Sequence, residues 1–487
     1  MNPLWTLVPP LAVIPFILLF GEKRKNLREG AIVIAGIALL LVNNLIYNDL
    51  VAGNTPQSGE FALMADYSLK LSAEPMGVLF GLLASFLWVV TTVYSVGYMR
   101  GHHEINQTRF YTCFALAIAA VMAAAYADNL LTLFVAYEVI TISTFPLVTH
   151  AGGEPARRAG KVYVGILMST SIAFLLPAII WTTSVAGTMD FVAGGVLKDA
   201  GLSNGALAVM MALFVFGIAK AGLMPFHRWL PAAMVAPTPV SALLHAVAVV
   251  KTGVFSILKI VTYTFGIDLV TISGAAYWLL PFAGFTIIVA SIVAFTKDNL
   301  KARLAYSTIG QLAYIVLAAL LATVMSVSGG VLHIVMHAFG KITLFFCAGA
   351  ILVALHKSEI SKMDGIGRRM PITMAAFFIG AVSIIGLPPA GGSWSKLLIA
   401  GGSLDTGSII WVAVLMLSTL LNIAYLLPIP LRAFLKSDPD LNPGEKAVMQ
   451  EAPFACLWAI VLTAISCIAL FLYPAPLTEL IGLIQWR

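Results

Sequence analysis

Charge is scarce in this 487-residue chain, at 10% of residues, and no polar stretch is long enough to build a soluble domain. The longest polar intervals, near residues 49–74 and 435–451, have the size of linkers. Cysteine is equally sparse: Cys113, Cys347, Cys456 and Cys467 all lie in apolar runs without C-x-x-C spacing, which argues against iron–sulfur, haem or structural zinc and leaves them as packing residues. No cofactor is expected. The net charge of +6 needs no nucleic-acid partner, because its placement along the chain accounts for it.

What remains is apolar sequence, 60% of residues with a mean hydropathy of +0.96. A bilayer core needs ~20 apolar residues per helix. Runs of that size recur at 3–20, 30–48, 75–99, 109–126, 129–149, 158–185, 205–235, 239–265, 271–296, 299–320, 326–354, 370–400, 408–431 and 452–473. The expectation is an all-α polytopic membrane protein of about fourteen spans in one integral membrane domain, 1–487. The first run has no basic residue before it and no small-residue cleavage site, so it is expected to be an uncleaved helix.

Taking the intervals alternately, twenty lysines and arginines fall in one set, from Lys23 through Arg100, Arg157, Lys301, Arg369 and Lys446; only Lys70, Lys198 and Arg487 fall in the other. A missed or invented span would scramble that bias. The positive-inside rule then places the first set in the cytoplasm and both termini outside; the membrane itself is expected to be a prokaryotic plasma membrane.

The five remaining basic residues, Lys220, Lys251, Lys259, Lys341 and Lys396, lie within spans, and none is an arginine. Arginine keeps its proton under almost any conditions, whereas a desolvated lysine can release one. Buried lysines can therefore be relay stations. Lys259, near a span end, fits an interfacial reach as well as a relay. Glu138 is the one acid deep within a span, and a carboxylate at that depth needs a facing cation to stay charged. Lys220 is its expected partner, as a modulated pair or a static one.

Around Lys220 the helix cannot continue: Pro225 and Pro231 each remove a backbone donor, and Pro237 and Pro239 set up the next span, which is expected to be intact. Broken helices in a membrane are tolerated where they line a hydrated cavity or are buried in protein. The next span carries His245 and Lys251. Later, His333, His337 and Lys341 follow at i, i+4 and i+8, on one helix face. Three titratable groups on one face favour a proton wire. A metal site there would need a third ligand, and none stands near. A second break, with Pro388 and Pro389 before Lys396, lies five spans after the first. Matching interruptions are a sign of inverted repeats, here 109–265 (spans 4–8) and 271–431 (spans 9–13).

The segments Ala219-Lys220 to Pro225-Phe226-His227-x-Trp229-Leu230-Pro231, Pro237-x-Pro239-Val240-Ser241 to His245, Val250-Lys251-x-Gly253-Val254 and His337-Ala338-x-x-Lys341 resemble the antiporter-like membrane subunits. These are shared by Mrp-type sodium/proton antiporters, respiratory complex I and membrane-bound hydrogenases. The resemblance runs from about residue 75 to 435, and the length, without a C-terminal lateral helix, looks most like the D-type protein of Mrp antiporters or the M-type protein of complex I. It implies fourteen helices, two inverted five-helix repeats and a mid-membrane polar axis. In that axis Glu138 and Lys220 would be the coupled pair, Lys251, His337 and Lys341 the central connection, and Lys396 the exit-side lysine, with His245, His333 and Lys259 as further relay candidates. The expected function is proton translocation in a multi-subunit Mrp-type cation/proton antiporter, with other membrane subunits as partners. The alternative is the proton pump module of a quinone reductase or hydrogenase.

Overall fold

The computed structural model of the chain describes residues 1–64, 67–440 and 447–486, apart from the side chains of Met64, His245 and Ala246. Lys446 and Arg487, which take part in the charge pattern, lie outside the described residues.

Two peripheral helices, α1 (Val8–Phe20) and α2 (Lys25–Val51), expose Leu19, Ile34 and Leu41 as membrane lipid requires. A short hairpin, β1 (Phe61–Met64) against β2 (Tyr67–Leu69), precedes α3 (Pro75–Gly101) and α4 (Gln107–Ala125). Next come α5 (Leu130–Val148) and α6 (Gly153–Thr170), which runs through a π turn, Ser171–Leu175, into α7 (Leu176–Ala186). The first broken span is α8 (Asn204–Gly217), a 3₁₀ turn at Ala219–Ala221, and α9 (Trp229–Ala232). The following span comprises α10 (Thr238–Ala242), α11 (Val249–Lys259) and α12 (Ile267–Ser273). After α13 (Leu280–Thr296), α14 (Leu300–Leu321) and α15 (Val324–Leu355) comes the second break, between α16 (Pro371–Ile385) and α17 (Gly392–Asp405). The chain ends with α18 (Ile409–Leu426), α19 (Pro428–Leu435), α20 (Phe454–Leu472) and α21 (Ala475–Gly482).

Each expected span falls on a helix or helix pair, and both interruptions lie where the prolines put them. The chain is an all-α polytopic integral membrane protein. One expectation needs correction: the span 239–265 is not an intact α-helix. It contains π turns at Leu243–Val247 and Ile260–Phe265 and bends by 80° before α12. A π turn admits an extra residue while keeping backbone hydrogen bonds closed, so the length and composition of the apolar run do not register it.

The core is centred on α14 and α15, with α15 packed against α3, α16, α17 and α20. Helix starts at two places are built alike. Asn129 caps α5, its side chain accepting from Thr132 N–H at 2.7 Å, and Asn299 caps α14 by accepting from Ala302 N–H at 3.1 Å. At each cap the chain is clamped to a later segment. Leu130 N donates to Met189 O and Phe191 N to Asp128 O, at 2.9 and 3.0 Å. Leu300 N donates to Ser358 O and Ile360 N to Asp298 O, at 2.9 and 2.8 Å.

Candidate proton-transfer axis

Where α8 stops, the 3₁₀ turn leaves Lys220 with no exposed surface. Its Nζ donates to Tyr137 O at 2.8 Å and Thr141 Oγ1 at 2.6 Å, and lies 3.1 Å from the Tyr137 ring centroid. Residues 137 and 141 are one turn apart on α5, so they present one face to the ammonium; Glu138 is rotated from it by about 100°. Glu138 therefore acts on Lys220 through space without touching it. Both Glu138 oxygens are buried with no hydrogen-bond partner among the described residues. The anticipated pair is thus present as neighbours but open in this conformation. Gly253 brings the next span against the break: a Cβ there would stand 2.4 Å from Ala221 N and from Lys220 C. Only glycine permits that approach, and it sets Lys251 two residues away.

Lys251, also fully buried, meets His337 Nδ1 at 2.5 Å. The ring of His333, one turn back on α15, stacks 5.8 Å from that of His337. His333 Nδ1 contacts Ser395 Oγ at 2.8 Å and its Nε2 contacts Gln311 Oε1 at 3.1 Å. Tyr314 stacks on His333 at 5.8 Å and carries the Lys396 ammonium 4.8 Å from its ring centroid. Lys396 Nζ donates to Ile385 O at 2.9 Å, a carbonyl at the C-terminal end of α16 that the break leaves free. Gly386, with φ +86°, allows this: a Cβ there would meet Lys396 Cδ at 2.6 Å. Lys341 Nζ donates to Ser307 Oγ at 2.6 Å, and Ser307 accepts in turn from Tyr425.

Contacts thus run from Lys251 through His337 and His333 to the Tyr314 ring and Lys396, while Lys341, one turn after His337 on α15, rests on Ser307. The side chain of His245 lies outside the described residues. Lys259 stands apart, 2.6 Å from Glu74 Oε1. Sequence reading missed the hosts of these ammoniums, Tyr137, Thr141, Ser307 and Tyr314, and the partners of the His333 ring, Gln311 and Ser395. Their one available signal was a polar side chain in the middle of an apolar run. Among the described residues, Lys220, Lys251, Lys341 and Lys396 touch no carboxylate; their partners are hydroxyls, carbonyls and an imidazole.

At the two clamps, outside the spans, the aspartates differ. Burial pushes the Asp128 carboxyl up from its ordinary value, opposed by Lys259. Hydrogen bonds from Ser361 hold the Asp298 carboxyl below it.

The chain belongs to the NADH:quinone oxidoreductase/Mrp antiporter transmembrane family, whose model matches residues 127–422. The NADH-quinone oxidoreductase subunit N of Desulforudis audaxviator (strain MP104C) is 28% identical over 484 residues, covering 97% of this chain and 95% of that one. A chain of the Mrp complex from Dietzia sp. DQ12-45-1b shares the fold with a TM-score of 0.86 at 21% identity, covering 99% of this chain and 96% of that one. A chain of the membrane-bound sulfane sulfur reductase, an archaeal respiratory membrane complex, does so with a TM-score of 0.85 at 23% identity and the same coverage. The chain is an antiporter-like membrane subunit of the kind found in multi-subunit complexes.

Proposed function

We propose that the chain is the proton-translocating subunit of a multi-subunit Mrp-type monovalent cation (Na+)/proton antiporter. Protons pass along Lys220, Lys251, His337, His333 and Lys396, with Lys341 on a side branch and Glu138 modulating the first step. One observation carries this reading: the axis lysines are held by neutral acceptors and not by carboxylates. An ammonium locked to a buried carboxylate is a static pair, whereas one resting on hydroxyls and an imidazole can give up its proton and stay hydrogen-bonded. When the Glu138 carboxylate approaches Lys220 it favours the charged lysine, and when it withdraws the proton moves on.

We read 109–265 and 271–431 as two inverted repeats. Five crossings separate the two clamps, which puts them on opposite faces of the membrane, with the lysine-rich face cytoplasmic and both termini outside. The partners are other membrane subunits of the complex. Lys220→Ala and Glu138→Ala are each expected to abolish cation-dependent proton flux in vesicles containing the whole complex; wild-type flux from either would sink the assignment.

A second reading has its own support. The Desulforudis relative bears the name of a quinone oxidoreductase subunit and matches this chain end to end. In that reading the same axis is the pump module of a redox complex. Mass spectrometry of the complex purified through this subunit separates the two: flavin or hydrogenase-like partners mark the redox complex, and small membrane partners alone mark the antiporter.

A further inference from the structure

On the face where α2 and α11 end and α3 begins, a cleft of about 360 Å³ holds Glu74, Asp128 and Lys259 among its lining residues. Lys259 is buried, yet its ammonium borders this cleft. Its Nζ donates to Ala127 O at 2.5 Å and pairs with Glu74 Oε1 at 2.6 Å. Asp128 lines the same cleft, and no described residue hydrogen-bonds its carboxylate. Its counterpart Asp298 is committed to Ser361, whereas the residue in the corresponding place beside Asp128 is Val192, which has no hydroxyl to offer. The first clamp therefore has a carboxylate to spare, beside a buried ammonium and open to water. The charged groups facing Asp128 are Lys259, Asp190, Glu74 and Lys70, the last pairing with Asp190 at 3.3 Å and Glu60 at 2.9 Å.

Lys259 lies two turns, about 12 Å, beyond Lys251 on α11, within about 80° of the same face. Phe255 falls between them on that face. Its ring is 5.7 Å from Lys259 Nζ, and its centroid is 4.9 Å from that of Phe80. An aromatic pair thus stands on the α11 face between Lys259 and Lys251, and apolar side chains so placed are the form of barrier that prevents passive leak in channels. The π turn Ile260–Phe265 begins right after Lys259, where the helix departs from regular geometry.

We propose that this cleft is the solvent port of the axis on this face, with Lys259 and Asp128 as its proton-exchanging groups; Glu74, part-exposed on the cleft wall and so not a locked buried partner, positions Lys259. In the outward step a water of the cleft bridges the two groups: an N–H bond of the Lys259 ammonium breaks as that water takes the proton, and the water gives up one of its own as an O–H bond forms on the Asp128 carboxylate. Asp128 then releases that proton to cleft water as hydronium. The neutral Lys259 amine is recharged from the Lys251–His337 pair past Phe255, and uptake is the reverse sequence. This inference rests on the proton-transfer reading of the axis.

The test uses the whole complex in sealed vesicles of known orientation. Asp128→Asn, whose carboxylate has no structural partner to lose, and Lys259→Gln are each expected to slow proton flux about tenfold or more. Asp128→Asn is also expected to flatten the dependence of flux on pH at the cleft face while leaving the dependence at the opposite face unchanged. Ala193→Cys, on the exposed cleft wall, is expected to leave flux intact until a membrane-impermeant thiol reagent is applied from the cleft side, and to lose it then. Cys347, Cys456 and Cys467 are buried and out of that reagent's reach. Wild-type flux and pH profile in Asp128→Asn, or unchanged flux in fully modified Ala193→Cys, overturns the port. Lys251→Ala separates the two inferences: if it is inactive while the cleft variants run at full rate, the axis stands and the port falls. If Lys251→Ala itself transports normally, the axis reading fails first and takes the port with it.

Discussion

Asp128 and Asp298 open the same backbone clamp in two halves of the chain, yet one is tied down and the other is not. Asp298 accepts from both the backbone and the hydroxyl of Ser361, so that end of the second half is closed by side chains as well as by backbone. Asp128 holds its clamp through its carbonyl alone and leaves its carboxylate beside Lys259 and the cleft. The lysines at the breaks differ in the same sense. Lys220 lies in a 3₁₀ turn against the side of α5, while Lys396 reaches back to the free carbonyl end of α16. The difference teaches that the same backbone joint can be reinforced by side chains at one place in a chain and left to the backbone at another.

Removing the two break lysines tests that comparison most severely. Lys220→Ala and Lys396→Ala should each reduce flux by at least about 10²-fold, to background, if both halves lie on one path. A large loss from only one, measured in vesicles of the whole complex, would restrict the path to that half. Next come the glycines that set the close approaches. Gly253→Ala drives a Cβ into backbone at Ala221 and should cost about 2–3 kcal/mol, read by thermal unfolding in detergent. Gly386→Ala meets the movable Lys396 side chain and should cost about 1 kcal/mol, mainly from its left-handed backbone. Equal costs would mean that the second break is as tightly packed as the first.

The hydroxyl hosts should come third. Thr141→Val and Ser307→Ala each withdraw one acceptor from a buried ammonium, for about 1–3 kcal/mol apiece. Lys341 keeps only the Leu304 carbonyl at 3.4 Å after the change, while Lys220 keeps Tyr137 O at 2.8 Å, so Ser307→Ala should be the worse.

Smallest are the clamp aspartates, which should respond to pH with opposite sign. The lowered Asp298 carboxyl contributes stability above the ordinary carboxylate range, and that contribution is lost as pH falls through its folded value. The raised Asp128 carboxyl does the reverse: its ionised form costs stability, and that cost is relieved as pH falls through its folded value and the group takes up a proton. At pH 7, Asp298→Asn should destabilise by less than about 1 kcal/mol and Asp128→Asn should be neutral or slightly stabilising, by melting curves at neutral and acid pH.

The spans, the two breaks and the intramembrane lysines were legible in the sequence because each rests on local physics: apolar run length, missing backbone donors, and charge where lipid penalises it. The histidines at 333 and 337 were legible for the same reason, as spacing along one helix. Thr141, Ser307 and Gln311 were not, because a hydroxyl or amide in an apolar helix carries no mark of what it faces until a distant segment is packed against it. The Lys259–Glu74 bridge likewise joins residues 185 positions apart, and its acid lies at a helix start where no span reading looks. The π turns escaped because they alter the helical register without altering composition.

The clamps at Asp128 and Asp298 are made of peptide groups, and that has a consequence for how the chain can diverge. Every residue except proline supplies the same N–H and C=O, so mutation at these junctions leaves the joint in place. Two stretches joined in this way can drift apart in sequence until their kinship is unreadable, while their architecture is inherited intact.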